Sequence, residues 1–220
     1  MERILKEREL IEKRIKIERY RRLNKFVRPG QILFAGSSLM EQFPIDELIM
    51  DRKLDYTIYN RGIGGFTTQE MLEVMDVCVY DLRPAYIYLN IGTNDMNGPD
   101  YEEAALIERY RQIINGIHEH LPDAKLTLLA YYPVNPSAAP NIHMAEIYKW
   151  RTNERIALAN KAVEKLAEET GSGFVNVNKS ITNEKGELRA EYTIDGMHMY
   201  GDGYYAVLAE LLPYLPKSIR

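Results

Sequence analysis

The sequence predicts an α/β protein: a three-layer α/β/α arrangement of the flavodoxin-like type, in which helices cover both faces of a five-stranded parallel sheet with strand order 2-1-3-4-5. Two observations predict this fold class. From residue 28 onward, short apolar runs of strand type alternate with longer stretches in which apolar residues recur every three or four positions, as in βαβ units. Motifs rich in glycine and polar residues follow successive strand-type runs, where ligands bind in open parallel sheets.

The length and composition are those of one globular domain of ordinary size. The chain has 220 residues, of which 45% are hydrophobic and 27% charged, with a formal net charge of −4. These values exclude a disordered chain and a membrane-spanning chain, and they imply no nucleic-acid partner. The single cysteine, Cys78, lies in an apolar helical stretch, which predicts a buried structural thiol rather than a catalytic one.

Residues 1–27 form a compositionally distinct segment, predicted as a charged helix ahead of a single domain over 28–220. Ten Lys and Arg against five Glu give residues 1–26 a charge of +5, which leaves −9 for the remainder. The apolar residues show no clean heptad, so a two-stranded coiled coil is poorly supported. The helix is expected to dock either on its own body or on a second copy of the chain. In the second case the protein would be a homo-oligomer through this helix. Attachment to an acidic membrane surface or partner is the alternative.

The N-terminus lacks the continuous apolar core of a signal peptide, and no run approaches the roughly 18 apolar residues of a membrane-spanning helix. A cytoplasmic location without integral membrane association is therefore expected. A leader removed beforehand would leave no trace in this sequence.

The individual elements follow from the apolar pattern. A Thr67 and Glu70 pair resembles an N-cap signal, and Gly171 suits the end of a long helix. Tyr132 to Asn141, with three prolines, is the longest predicted loop and a candidate wall of the active site. Strands are predicted at 31–36, 56–60, 85–91, 125–131 and 173–177, and helices at 67–82, 101–121, 143–170 and 202–214.

Two motifs contain the parts of a nucleophilic site. Ser38 follows the first predicted strand, and Asp195 and His198 lie just before the last predicted helix. A serine hydroxyl needs a positioned base near neutral pH, and imidazole is well suited to that role. Asp195 is close enough along the chain to accept a hydrogen bond from the His198 ring. The other three histidines are predicted to lie on solvated surface.

Three donors can be nominated for the negative charge that develops on a carbonyl oxygen during attack. They are the backbone N–H groups of Ser38 and Gly65 and the side-chain amide of Asn94, with Gly65 after the second strand and Asn94 after the third. Each signal is weak alone, because a Gly-Gly pair usually marks a turn and Asn94 fits an ordinary loop. Together with Ser38, Asp195 and His198 they predict a serine esterase.

These motifs together resemble the sequence blocks of the SGNH hydrolases, also called the GDSL lipase/acylhydrolase family. The resemblance runs from about Ile32 to Tyr204. The matching blocks are Phe34 to Leu39, Asn60 to Thr68, Ile91 to Asp95, and Asp195 to His198 followed by Gly203 and Tyr204. The second block looks most similar to the branch of the platelet-activating-factor acetylhydrolase catalytic subunits.

The resemblance implies an SGNH-hydrolase fold and assigns a role to each matched residue. Ser38 would be the nucleophile, Gly65 and Asn94 would complete the oxyanion hole, and His198 with Asp195 would complete the triad. It implies a serine esterase or acylhydrolase that cleaves short-chain carboxylic esters, acetyl esters foremost, through an acyl-enzyme. Such a site acts on a small-molecule ester, and neither a cofactor nor a metal is expected.

Two departures from the family pattern bear on the site. Ser37 stands where the family usually has aspartate, and we expect it to make the local hydrogen bond that this carboxylate makes. Phe66 stands where many members have aspartate, which predicts a more apolar rim beside the oxyanion hole. Phe66 is therefore a candidate substrate-binding residue, and so are Tyr132 and Tyr192, two tyrosines near the proposed rim that could stack on a sugar or enclose an acyl tail.

Other classes fit the residues less well. An α/β-hydrolase needs Gly-x-Ser-x-Gly, but position 40 is Met. The Gly-x-Gly-x-x-Gly pattern of a dinucleotide site fails at Thr67. The remaining alternative is a non-catalytic carbohydrate- or lipid-binding domain on the same fold, which turnover of a chromogenic acetyl ester would distinguish.

Overall fold

The computed structural model describes residues 2–140 and 142–217 and is built on a parallel sheet of five strands. The strand order is β2-β1-β3-β4-β5, as predicted. All five predicted strands are confirmed, although the second lies two residues later in the chain than expected and the fourth and fifth end two residues earlier. The strands are β1 (Ile32–Gly36), β2 (Ile58–Gly62), β3 (Tyr86–Asn90), β4 (Lys125–Leu129) and β5 (Gly173–Val175).

The helices lie on both faces of this sheet. Their bounds are α1 (Glu2–Leu23), α2 (Ser38–Glu41), α3 (Ile45–Asp51), α4 (Thr68–Leu72), α5 (Met75–Cys78), α6 (Glu103–His120), α7 (Ile142–Tyr148), α8 (Asn153–Thr170) and α9 (Gly201–Leu211). The short helices α2 and α3 were not predicted.

Alternation along β1 divides the core into two clusters. Leu33 and Ala35 pack with α4 to α8, whereas Ile32 and Phe34 pack with α2, α3 and α9. Successive side chains of a strand point to opposite faces, so a strand that is apolar throughout must be covered on both sides. The three-layer α/β/α arrangement is confirmed.

The prediction of a single helix over 67–82 is wrong. This segment is broken into α4, α5 and a 3₁₀ turn at Tyr80–Leu82, because Val74 leaves the helical region with φ −134°. Its predicted start is confirmed. The Glu70 N–H donates to Thr67 Oγ1 at 3.3 Å and the Thr67 N–H donates to Glu70 Oε2 at 2.9 Å, a reciprocal capping box.

The single helix predicted at 143–170 is also wrong. Residues 149–152 separate α7 from α8, and the Thr152 side chain accepts the Arg155 N–H at 3.2 Å and so caps the new helix. Gly171 ends α8 with φ +69°, as predicted. The last predicted helix, 202–214, ends earlier, at Leu211, and continues as a 3₁₀ turn that contains Pro213.

Helix α1 docks on its own body. Ile17 and Tyr20 pack against the cluster that contains Leu33, and Tyr20 donates its hydroxyl hydrogen to Gly62 O at 2.7 Å. The division into 1–27 and 28–220 and a homo-oligomer through this helix stay predictions. Met1 and the last three residues lie outside the described residues.

No helix among the described residues is long and apolar enough to cross a membrane. Cys78 is buried, as predicted, and burial raises the pKa of its thiol to about 12. This thiol is therefore not ionised near neutral pH and is a poor nucleophile.

Candidate active site

Ser38 is the first residue of α2 and follows a sharp exit from β1. Gly36 has φ +150°, and a Cβ there would collide with the carbonyl of Asn90. The buried Ser37 donates its N–H to that carbonyl at 3.2 Å, which turns the chain at the end of the strand. As a result, the Ser38 hydroxyl faces the carboxyl edge of the sheet, with Oγ 2.9 Å from His198 Nε2.

The prediction that Ser37 makes a local side-chain hydrogen bond is wrong. Its Oγ is buried and has no hydrogen-bond partner among the described residues. Ser37 contributes only its backbone to the turn, whereas Ser38 is the serine that contacts the histidine.

Asp195 and His198 share a tight loop ahead of α9. Asp195 Oδ1 accepts the backbone N–H groups of Met197 at 3.0 Å and His198 at 2.9 Å, and Oδ2 lies 2.7 Å from His198 Nδ1. Burial alone would raise the pKa of Asp195, but the hydrogen bonds from the His198 ring, the His198 backbone and the Met197 backbone together with the charge of the ring lower it to about 2. The carboxylate is therefore ionised and fixes the ring.

Gly65 lies in the turn that follows β2, with φ +74°. Helix α1 crosses close to it, so a Cβ at Gly65 would lie 2.8 Å from Glu9 Oε1. The Gly65 carbonyl accepts from Lys13 Nζ at 3.0 Å, and the preceding Gly64 N–H donates to Glu41 Oε2 at 2.5 Å. Within the described part of the chain, the backbone N–H groups of Gly65 and Ser38 have no acceptor.

Asn94 sits in the 3₁₀ turn Thr93–Met96 after β3. Its Nδ2 donates to the Phe66 carbonyl at 2.9 Å, and its Oδ1 accepts from Arg151 Nη2 at 2.7 Å. The side-chain amide is thus bound on both sides while Asn94 still lines the cleft.

The neighbouring Asp95 ties this turn to α4. Its carboxylate accepts the backbone N–H of Thr68 at 3.0 Å, the Thr68 hydroxyl at 2.5 Å and Arg109 Nη2 at 3.1 Å. These bonds connect the end of β3 to the start of the helix that follows the Gly65 turn. The Gly65 and Asn94 segments are therefore fixed relative to each other.

The four key residues line one cleft of about 390 Å³. Ser38, Gly65, Asn94 and His198 form its floor, between α1 and α7. The α1 wall is charged and consists of Glu9, Glu12, Lys13 and Lys16, whereas the α7 wall consists of His143, Met144 and Ile147. No group of three His, Cys, Asp or Glu side chains suited to a metal ion occurs among residues 2–140 and 142–217.

The structure does not place the three candidate substrate-binding residues in this cleft. Phe66 is buried in the core on the α6 side of the sheet, and Tyr132 is buried in the core on the α9 side. Tyr192 packs against that second core beneath the guanidinium of Arg189, 4.9 Å from its ring. These predictions are wrong because each ring is used for packing.

The predicted loop wall is wrong too. No described residue of the loop from Tyr132 lines the cleft, and its last residue, Asn141, lies outside the described residues. The loop instead supports the histidine segment, since the Asn135 N–H donates to Gly196 O at 2.7 Å.

Neither the α1 and α7 walls nor Arg151 was predicted from the sequence. Only Arg151 had a local signal, because Thr152 and Glu154 after it form the start signature of a helix, which places Arg151 in a turn. The walls depend on long-range packing and had no local signal.

Comparisons with known proteins show which family the chain belongs to. Residues 47–206 match the model of the GDSL-like lipase/acylhydrolase family. The isoamyl acetate-hydrolyzing esterase of Saccharomyces cerevisiae is 27% identical over 195 residues, which cover 77% of this chain and 75% of that protein.

Solved structures extend the similarity to almost the whole chain. A protein described as a platelet activating factor from Streptococcus pneumonia is 33% identical, with a TM-score of 0.87 and 97% of each chain covered. The acetylxylan esterase Axe2 of Geobacillus stearothermophilus, 16% identical with a TM-score of 0.64 over 88% of this chain and 98% of that one, shares the fold. The chain belongs to the GDSL-like lipase/acylhydrolase family and is a carboxylic ester hydrolase.

Proposed function

We propose that the protein is a serine esterase that cleaves short-chain esters, acetyl esters foremost, through an acyl-enzyme on Ser38. The observation that supports this proposal is a continuous chain of polar contacts, from Ser38 Oγ to His198 Nε2 at 2.9 Å and from His198 Nδ1 to Asp195 Oδ2 at 2.7 Å. Such a chain lets an imidazole accept the serine proton while a carboxylate stabilises the resulting cation.

In the acylation step, Ser38 Oγ attacks the ester carbonyl carbon as its proton moves to His198 Nε2. The carbonyl oxygen becomes an oxyanion and accepts hydrogen bonds from the backbone N–H groups of Ser38 and Gly65 and from Asn94 Nδ2. The tetrahedral species then breaks its bond to the alcohol oxygen, which takes the proton from His198. The acyl group remains as an ester of Ser38.

In the deacylation step, water takes the place of the alcohol. His198 accepts a proton from this water as its oxygen attacks the acyl carbon, and the same donors bind the oxyanion. The bond to Ser38 Oγ breaks, and the proton on His198 returns to the serine oxygen. The products are the carboxylic acid and the regenerated enzyme.

Two observations support a short acyl group and a small-molecule ester. The yeast relative is named for hydrolysis of isoamyl acetate, an acetate ester. The cleft has a volume of about 390 Å³, near the lower end of the range for ligand sites, and its α1 wall is charged, which favours a small ester over one with a long acyl tail.

The test compares serine variants on p-nitrophenyl acetate and p-nitrophenyl octanoate. We expect the wild type to prefer the acetate by kcat/KM and Ser38→Ala to lose at least about 10³-fold in kcat. Ser37→Ala should keep activity within about tenfold, because its hydroxyl contacts no reacting group. Mass spectrometry of the quenched wild type should find the acetyl group on Ser38. Loss of activity in Ser37→Ala alone would reassign the nucleophile, and preference for the octanoate would overturn the short-chain assignment.

A further inference from the structure

Arg151 is a buried arginine in the turn between α7 and α8, and its guanidinium lies against the Asn94 amide. The residue is 2% exposed. Its Nη2 donates to Asn94 Oδ1 at 2.7 Å, its Nε donates to Asn97 Oδ1 at 2.9 Å, and its Nη1 lies 3.0 Å from Met197 Sδ. The side chain therefore bridges the Asn94 turn and the residue before His198.

The cost of burying this cation calls for an explanation. Within the described part of the chain, no carboxylate forms a direct ion pair with Arg151, and burial lowers its pKa to about 10. A buried charge without a direct counterion costs stability that an apolar residue of similar size would not. The presence of Arg151 is explained if its hydrogen bonds hold the neighbouring polar side chains in place.

The guanidinium helps to decide which end of the Asn94 amide faces the cleft, together with the Phe66 carbonyl and with Asn97 Nδ2, which donates to Asn94 Oδ1 at 3.4 Å. An arginine has only donors, so the atom that contacts Nη2 must be the amide oxygen. Asn94 Nδ2 is then directed to the other side, where one N–H bonds the Phe66 carbonyl and the second is left for a ligand of the cleft. A rotated amide would instead present Oδ1 to the substrate, and two oxygens with partial negative charge repel each other.

We propose that Arg151 is a positioning residue for ester hydrolysis: it fixes the Asn94 amide so that Nδ2–H faces the oxyanion. This inference rests on the proposed role of Asn94 as an oxyanion donor. Because an oxyanion exists only in the transition state and the tetrahedral intermediate, loss of the positioning should lower kcat and change KM little.

The experiment is a double-mutant cycle on p-nitrophenyl acetate with wild type, Arg151→Met, Asn94→Ala and the double variant. We expect Asn94→Ala to lower kcat by about 10²-fold to 10³-fold. Arg151→Met should lower it about tenfold with KM within about twofold. In the Asn94→Ala background the same change should cost less than about twofold, since its effect passes through Asn94.

Arg155→Met is the matched control. Arg155 lies in the first turn of α8, and its guanidinium stacks over the Tyr101 ring at 4.9 Å. We expect this variant to keep the wild-type kcat. If Arg151→Met does not fold by circular dichroism, Arg151→Lys replaces it in the cycle, where the loss of kcat should be smaller but again absent without Asn94.

The outcomes separate the two levels of the proposal. A loss of kcat on Arg151 substitution that is equally large with and without Asn94 would overturn the positioning role alone. An Asn94→Ala variant with wild-type kcat would overturn the donor role and this inference together, while the Ser38 assignment would still rest on its own variants.

Discussion

The carboxylate of Asp195 shows how one residue orients both the backbone and the ring of the proposed base. Its Oδ1 accepts two backbone N–H groups of the loop, and its Oδ2 contacts His198 Nδ1. These contacts select the Nδ1–H form of the ring, so that Nε2 is left to accept a proton from Ser38. The same bonds lower the pKa of Asp195 from 3.8 to about 2.

This pKa shift predicts a pH-dependent contribution to stability. Because the folded-state pKa is lower than the ordinary value, the ionised carboxylate stabilises the fold above about pH 4, by about 2 kcal/mol, and the contribution is lost as the pH falls through about 2. Asp195→Asn should therefore be less stable than the wild type at pH 6, and most of this gap should be lost by pH 2. Urea unfolding of both proteins at pH 6 and pH 2 measures this difference in the free energy of unfolding. A gap of constant size would contradict the shift.

At the scale of elements, α1 is a wall of the cleft and a support for the Gly65 turn. Lys13 Nζ donates to the Gly65 carbonyl and to Glu70, and Lys16 pairs with Glu41, which in turn accepts the Gly64 N–H. The turn that presents the Gly65 N–H is thus bound from both sides by side chains outside β2. The helix precedes the segment that matches the family model, residues 47–206.

Lys13→Met should therefore affect catalysis as well as stability. Removing the bond to the Gly65 carbonyl frees the torsions of a glycine, and we expect kcat on p-nitrophenyl acetate to fall several-fold with KM changed less. The matched control is Lys165→Met on α8, where the lysine side chain is 76% exposed and pairs with Glu169 at 3.8 Å. This control variant should have the same kcat and the same free energy of unfolding as the wild type. Equal kcat for Lys13→Met and the wild type would show that α1 does not support the turn.

The elements that could be predicted from sequence are those with a strong local pattern. The strands were found because each contains a short apolar run, of the kind that buried parallel strands show, and α8 was found by its periodicity. The break at 149–152 was missed because apolar spacing continues across it, although Thr152 offers a capping signal. Phe66, Tyr132 and Tyr192 were misplaced because a sequence does not show whether an aromatic ring points into the core or into the cleft.

At the scale of the whole molecule, the sheet brings motifs that are far apart in sequence together in one site. The order β2-β1-β3 brings the ends of three strands together, so Gly65, Ser38 and Asn94 meet at one edge although 56 positions separate the first and last of these residues in sequence. This convergence could be predicted because parallel strands share one carboxyl edge. The walls could not, since α1 and α7 reach the cleft through long-range packing alone.

The sheet that positions these residues is also the middle layer between the two core clusters, so the stability of the protein should depend on its central strand. Leu89 lies in β3 and is fully buried, whereas Leu158 on α8 is 53% exposed. We expect Leu89→Ala to lower the free energy of unfolding by about 2 to 5 kcal/mol, because it leaves a cavity between the sheet and its helices. Leu158→Ala should lower it by less than about 1 kcal/mol. Urea denaturation of both variants measures the difference, and comparable losses would contradict a core centred on β3.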